Sequence, residues 1–258
     1  MQKAFPKDAM QGIYAKIEAA RAASPAQTAE PKAPADPRAA KKRDVADLFT
    51  RRYASLRKAL PWIRQPTGET FKSFVCQMDQ QTRVVQICER FASRLLDRVV
   101  DRKHSELGLL LAGTTGTGKT RLAESVLRVL AEAGAPGYFI TSSDYFDLFT
   151  PSFSEKLDVS YAQLRELFAG VSCLVFDDVG TTSWTDARRD RLQQLIDARA
   201  VAHLPTIVTT NLTKKQMSAE GAERITSRMS QYLYPLGCVW PDWRERVAAR
   251  NCNPMEIF

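Results

Sequence analysis

The apolar positions of this chain fall into two periods. Unbroken runs at 107–112, 138–141, 172–176 and 205–209 have the length of strands buried on both faces. Between them, apolar residues recur at helical spacing. Val84, Ile87, Cys88, Phe91, Leu95 and Val99 form one face over 81–100; residues 122, 126, 127 and 130 form another over 121–132. Leu192, Leu195, Ile196 and Ala200 do the same over 186–202, behind a Thr185 cap, and the opposite face carries Arg188, Arg189 and Arg191. Shorter helices are predicted over 142–149, with Ser142 or Ser143 as cap and Pro151 as stop, over 161–168 between Ser160 and Gly170, and over 223–231. Residues 151–159 read as a loop, Phe71, Phe74 and Val75 as core anchors, and the neighbourhood of Cys238 and Val239 as a fifth strand. Strands alternating with helices predict an α/β fold, a parallel sheet covered on both faces.

The pattern is different ahead of residue 69. Residues 8–23 suit a short helix with Met10, Ile13, Tyr14 and Ile17 on one face, and residues 24–40 have the Ala/Pro composition of an extended linker. Residues 41–60 read as a basic helix with Val45, Leu48, Phe49, Tyr53 and Leu56 as its stripe, ended by Pro61. Two regions are therefore expected, an arm over 1–68 and a globular domain over 69–258. The net charge of +8 sharpens the division: residues 1–68 hold 14 Lys/Arg against 6 Asp/Glu, and the remainder holds 23 of each. Such an arm suits nucleic acid or an acidic protein surface; the alternative is a merely solvated tail. No apolar run approaches the ~20 residues of a membrane span, and 1–10 lack the apolar core of a secretory signal. Five scattered cysteines with no C-x-x-C pair fit reduced thiols in a cytoplasmic protein, not a disulfide or zinc framework.

The chemistry concentrates in one stretch. Gly113, Thr114, Thr115, Gly116, Thr117, Gly118, Lys119 and Thr120 satisfy G-x-x-x-x-G-K-[ST] between a predicted strand and a predicted helix. Glycines let backbone N–H groups close on phosphate oxygens, and the helix N-terminus adds a positive dipole end. Lys119 is expected to reach the β- and γ-phosphates of ATP, and the Thr120 hydroxyl to ligate Mg²⁺. Asp177 and Asp178 follow the third apolar run. An apolar strand ending in an acid is the Walker B pattern, so Asp177 is assigned to the metal shell and Asp178 to polarising the attacking water, against the alternative of a turn or capping pair. Asn211 follows the fourth run, where an amide can hold the lytic water or merely make a turn. Arg224 and Arg228 lie one turn apart, and an ordinary surface salt-bridge face is their alternative.

Over about 70–250 the sequence resembles the DnaC-type and IstB-type AAA+ ATPases. The resemblance rests on the helix at 71–96 with Gln80-Gln81 and Ile87-Cys88, then GTTGTGKT, LVFDDVG (174–180), VTTNL (208–212), ERITSRM (223–229) and Trp243-Arg244, in that order. It implies a five-stranded AAA+ sheet, an ATPase site shared between neighbouring subunits, and single-stranded DNA near a segment like 142–168. By the same resemblance Asn211 matches sensor 1, Arg228 the arginine finger, Arg224 its helper and Arg244 a late sensor at the nucleotide. Asp178 stands where Glu is commoner, which implies slower hydrolysis because its carboxylate reaches about one methylene less far. Thirty residues follow Arg228, too few for the helical lid of other AAA+ proteins and in keeping with this lidless family.

Three functions are compatible with these features. The first is an ATP-dependent loader that brings a replicative DNA helicase to single-stranded DNA, self-associates side by side, and uses hydrolysis for release. The second is a transposition helper of IstB type, acting on duplex DNA with a transposase. The third is a nucleotide-gated binding module with little turnover.

Overall fold

The computed structural model describes residues 70–101, 108–132, 137–150, 160–171, 173–219 and 221–244. The basic arm, the linker and the loop at 151–159 lie outside the described residues. A 3-10 turn at Phe71–Ser73 leads into helix α1 (Asp79–Asp101). Then come β1 (Gly108–Ala112), α2 (Lys119–Glu132), β2 (Gly137–Thr141), α3 (Ser142–Asp147), α4 (Tyr161–Gly170), β3 (Cys173–Val179) and α5 (Asp186–Val201). The last elements are β4 (Thr206–Thr210), α6 (Lys214–Ala219), α7 (Glu223–Tyr232) and β5 (Leu233–Gly237).

All five strands are parallel, in the order β2-β3-β4-β1-β5. Their unbroken apolar runs are explained by packing on both faces. Along β3, Leu174 and Phe176 join a core built with α3, α4, α5 and α7, whereas Cys173 and Val175 join a second core built with α1 and α2. Strand β2 divides in the same way, Tyr138 and Ile140 from Phe139, and β4 divides Val208 from Ile207. The predicted stripe of α2 is fully interior: Leu122, Val126, Leu127 and Leu130 are at most 1% exposed.

Several sequence expectations are corrected. The cap of α3 is Thr141, whose hydroxyl accepts from the Asp144 N–H, and not Ser142 or Ser143. Strand β3 runs on through the Asp pair to Val179. The fifth strand lies just before Cys238; Pro235 in its middle disguised it, and an edge strand tolerates a proline whose missing N–H faces away from the sheet. Helix α6 went unpredicted although Thr213 and Gln216 cap it reciprocally: the Thr213 N–H donates to Gln216 Oε1 (2.8 Å) and the Gln216 N–H to Thr213 Oγ1 (3.2 Å). Val75 is 53% exposed and no core anchor, while Phe71 is buried as expected. On α5, Arg199 takes the inward place at the i+7 spacing from Leu192, and Ala200 is only half-buried. The Arg199 guanidinium is satisfied there by the Phe168, Val171 and Pro205 carbonyls and by Thr206 Oγ1, tying α4, α5 and β4 together.

Candidate functional site

The loop between β1 and α2 sits at the C-terminal edge of the sheet, where open parallel sheets bind ligands. Its backbone needs glycine at two turns. Gly116 and Gly118 have φ of 68° and 84°, and a β-carbon at 118 would stand 2.7 Å from the Phe74 ring. Lys119, only 6% exposed, folds back over the loop, its Nζ donating to Gly113 O (2.8 Å) and Thr114 O (2.6 Å). Burial pulls its pKa below the ordinary lysine value, opposed by Cys238, Asp178 and Asp177.

The first turn of α2 meets the end of β3. Thr120 Oγ1 donates to the Asp177 carboxylate at 3.0 and 3.2 Å. Burial pushes the Asp177 pKa up; its hydrogen bonds from Thr209 and Thr120 oppose that shift. Asp178 lies in a register shift between β3 and β4, a bulge spanning Phe176 to Val179, with a left-handed φ of 60°. Its backbone is held at both ends. The N–H donates to Thr209 Oγ1 (2.9 Å), and the carbonyl accepts from Ser142 Oγ (2.8 Å) and Thr181 Oγ1 (2.9 Å). At the end of β4, Thr210 Oγ1 donates to Val179 O (2.6 Å) and accepts from the Leu212 N–H (3.1 Å), turning the chain at Asn211.

These pieces line one cavity of about 510 Å³. Thr115 to Thr120, Asp177, Asp178, Asn211 and Arg244 all border it. Gly113 and Thr114 meet it through their carbonyls on Lys119, whose side chain lines the cavity. Arg224 and Arg228 are elsewhere, on α7. Arg224 is exposed, and Arg228 Nε lies 3.3 Å from Asp197 Oδ1 on α5, with Gln231 and Tyr232 beside its Nη1.

The sequence missed part of this wall. Residues 238–244 return from β5 over the loop: Trp240 Nε1 donates to Thr117 O (2.9 Å) and the Trp243 N–H to Gly116 O (3.0 Å). Phe74, Val75 and Gln81 border the other side. Thr209 was missed as well, since a threonine inside a strand reads as an ordinary β-branched residue. The two tryptophans with charged neighbours over 240–244, past the last recognisable apolar period, were the available signal for the strap.

The arrangement fits a nucleoside triphosphate with a hard divalent cation. A glycine cradle opens at the N-terminus of α2, and Thr120 Oγ1 and Asp177 converge beside it. A hydroxyl and a carboxylate suit Mg²⁺, which is usually bound by one or two protein oxygens, phosphates and water.

Sheet order, loop and acid pair together define a P-loop protein with the AAA+ domain fold. The family model of the IstB-like ATP binding proteins matches residues 98–229, just over half the chain, and the chain belongs to that family. Curated relatives include the replicative helicase loader DnaC of Escherichia coli K12, 27% identical over 144 residues, which make up 55% of this chain and 58% of that one. The DnaC of Buchnera aphidicola subsp. Acyrthosiphon pisum is 22% identical over 160 residues, 62% of each chain. The chain thus spans about six-tenths of the length of these relatives. Among solved structures, DnaI superposes with a TM-score of 0.56 at 21% identity, over 72% of this chain and 92% of that one. The DnaC helicase loader superposes with a TM-score of 0.56 at 20% identity, over 67% and 98%. At such identities the superpositions speak for the fold.

Proposed function

We propose that this protein is an ATPase that loads a replicative DNA helicase onto single-stranded DNA. The observation that carries the reading is the meeting of loop, acid pair and Asn211 around one cavity, in a chain similar to helicase loaders. Backbone N–H groups of 115–120 bind the phosphates, and Lys119 exchanges its loop carbonyls for the β- and γ-phosphate oxygens. Thr120 and Asp177 hold Mg²⁺ and its waters, and Mg²⁺ when bound neutralises charge on the phosphates. Asp178 accepts a proton from the attacking water and Asn211 orients that water, while Arg244 faces the nucleotide from the strap. Arg228, helped by Arg224, acts on a neighbouring subunit's nucleotide; that assignment is supported by its absence from the lining of its own cavity and by its part-exposed side chain on the outer face of α7. Hydrolysis at this shared site drives release of the helicase.

For DNA, the support is a groove of about 280 Å³ between α3, α4 and α5, bordered by Tyr145, Tyr161, Arg165 and Arg191. Arg191 lies 5.2 Å from the centre of the Phe149 ring and 5.8 Å from that of Tyr161. Tyr145 and Phe149 are buried there, so the exposed Tyr161 is the ring open to a base, and Arg165 and Arg191 suit a phosphate chain. Residues 8–23 dock the helicase and 41–60 add phosphate contacts. A second reading, a transposition helper, is favoured by the IstB-like family match. Purified replicative helicase and transposase from the source genome, offered separately to the intact protein and to a 69–258 truncation, distinguish the two. Capture of the helicase by the intact protein alone supports the loader. Capture of the transposase alone, or of neither, overturns it.

A further inference from the structure

The Thr209 hydroxyl lies between the two acids of the site and touches both. It donates to Asp177 Oδ1 at 2.6 Å and accepts the Asp178 N–H at 2.9 Å. Thr209 is 0% exposed, so neither bond has water as a ready substitute. The two bonds do different things. The first engages Asp177 Oδ1, the oxygen that Thr120 Oγ1 also meets at 3.0 Å, and fixes the rotation of Asp177 about its side chain. The second holds the bulge. Asp178 sits at φ 60°, a conformation that costs a non-glycine residue ~1–2 kcal/mol and persists only where its surroundings impose it. One strand further along, an ordinary β alternation would send successive side chains to opposite faces of the sheet. The bulge breaks that alternation and lets Asp177 and Asp178 both border the same cavity.

We infer that Thr209 is a positioning residue for the Mg²⁺-ATP site, its one hydroxyl setting the orientation of the Asp177 carboxylate and, through the Asp178 backbone, the aim of the second carboxylate. This rests on the proposed ATPase reading. It divides the work around the end of β4: Asn211, just past the strand, borders the cavity, and Thr209 inside it holds the acids that line the cavity.

The test compares Thr209→Val, which keeps shape and branching and removes the hydroxyl, with Thr209→Ser, which keeps the hydroxyl and removes the methyl. The full chain is titrated with a fluorescent ATP analogue in EDTA and in Mg²⁺, and kcat and KM are measured separately. Thr209→Val is expected to bind nucleotide in EDTA as the parent does. Its Mg²⁺-linked gain in affinity and its kcat are each expected to fall ~10–100-fold, the usual cost of losing a group that orients a metal ligand, with a smaller change in KM. Thr209→Ser is expected to restore most of both. Thermal unfolding of both variants checks that they fold; should Thr209→Val fail to fold, Thr209→Ala takes its place. A hydroxyl-free variant that keeps the Mg²⁺-linked gain and kcat overturns the inference, as does a Thr209→Ser no better than Thr209→Val. If the parent shows Mg²⁺-linked binding without turnover, the ATPase reading fails while the binding arm still decides on Thr209. If the parent shows no Mg²⁺-linked binding, both fail.

Discussion

Replacing Gly116 with alanine tests whether the strap over the loop is a working part of the site. A β-carbon at 116 would stand 1.5 Å from Asp242 Oδ1, 1.8 Å from its Cγ and 2.2 Å from Oδ2, so the whole carboxylate must leave. Two hydrogen bonds go with it: the Arg244 N–H to Asp242 Oδ1 (2.7 Å) and the Trp243 N–H to Gly116 O (3.0 Å). Each is worth ~0.5–1.5 kcal/mol net. The left-handed φ of 68° adds ~1–2 kcal/mol once a side chain is present. Gly116→Ala is therefore expected to lose ~2–5 kcal/mol of unfolding stability, read from urea curves of unchanged slope. ATP affinity should fall with it, because the strap positions Trp243 and Arg244 at the nucleotide cavity. The double variant is the sharper measurement. Asp242→Ala alone costs ~0.5–1.5 kcal/mol for the lost acceptor, yet added to Gly116→Ala it removes the obstruction. The pair should be no less stable than Gly116→Ala alone, a coupling of at least ~0.5 kcal/mol in a double-mutant cycle. Strictly additive losses would show that Asp242 does not rest against the loop and would refute that contact of the strap.

Lys119→Ala should abolish measurable ATP binding by calorimetry, since the ammonium already sits among the loop carbonyls beside the phosphate cradle; tight binding would remove the loop from the account. Asp178→Asn should bind ATP with Mg²⁺ as the parent does and lose turnover, whereas Asp177→Asn should lose the Mg²⁺ dependence of binding; identical behaviour in both assays would erase the division between them. Arg199→Met should cost ~3 kcal/mol or more in urea unfolding, because several buried acceptors lose their donor at ~1–3 kcal/mol each. A loss under ~1 kcal/mol would mean that those carbonyls find other donors.

The fold and the nucleotide loop were legible in the sequence for a physical reason. A strand covered on both faces must be an apolar run, and a loop that wraps phosphate must carry glycine at its turns, so both leave marks that spacing alone reveals. The adjacent acids at 177 and 178 were legible too, though not the bulge that turns both toward one cavity. What stayed hidden works by long-range contact. Thr209 looks like any strand threonine, and its bonds are to residues 31 and 32 positions away. Trp240 reaches Thr117 across 123 positions. Arg199 occupies an inward helical position that an apolar pattern search assigns to a neighbour, since a buried guanidinium is tolerated only where four acceptors meet it. Pro235 concealed β5 by a rule that holds for central strands and not for edges.

The central claim is an ATPase whose sites are completed between subunits, with the loop of one protomer served by Arg228 of its neighbour. Mixing Arg228→Ala with Lys119→Ala tests it most directly. Each variant alone should be nearly inactive, the first because a finger supplied in trans is worth ~10³–10⁵ in rate, the second because it holds no nucleotide. Mixed in one assembly, the intact loop of the first variant meets the intact Arg228 of the second, and ATP hydrolysis should reappear in proportion to such interfaces. No recovery, with mixed assembly demonstrated by cross-linking, would contradict the shared site.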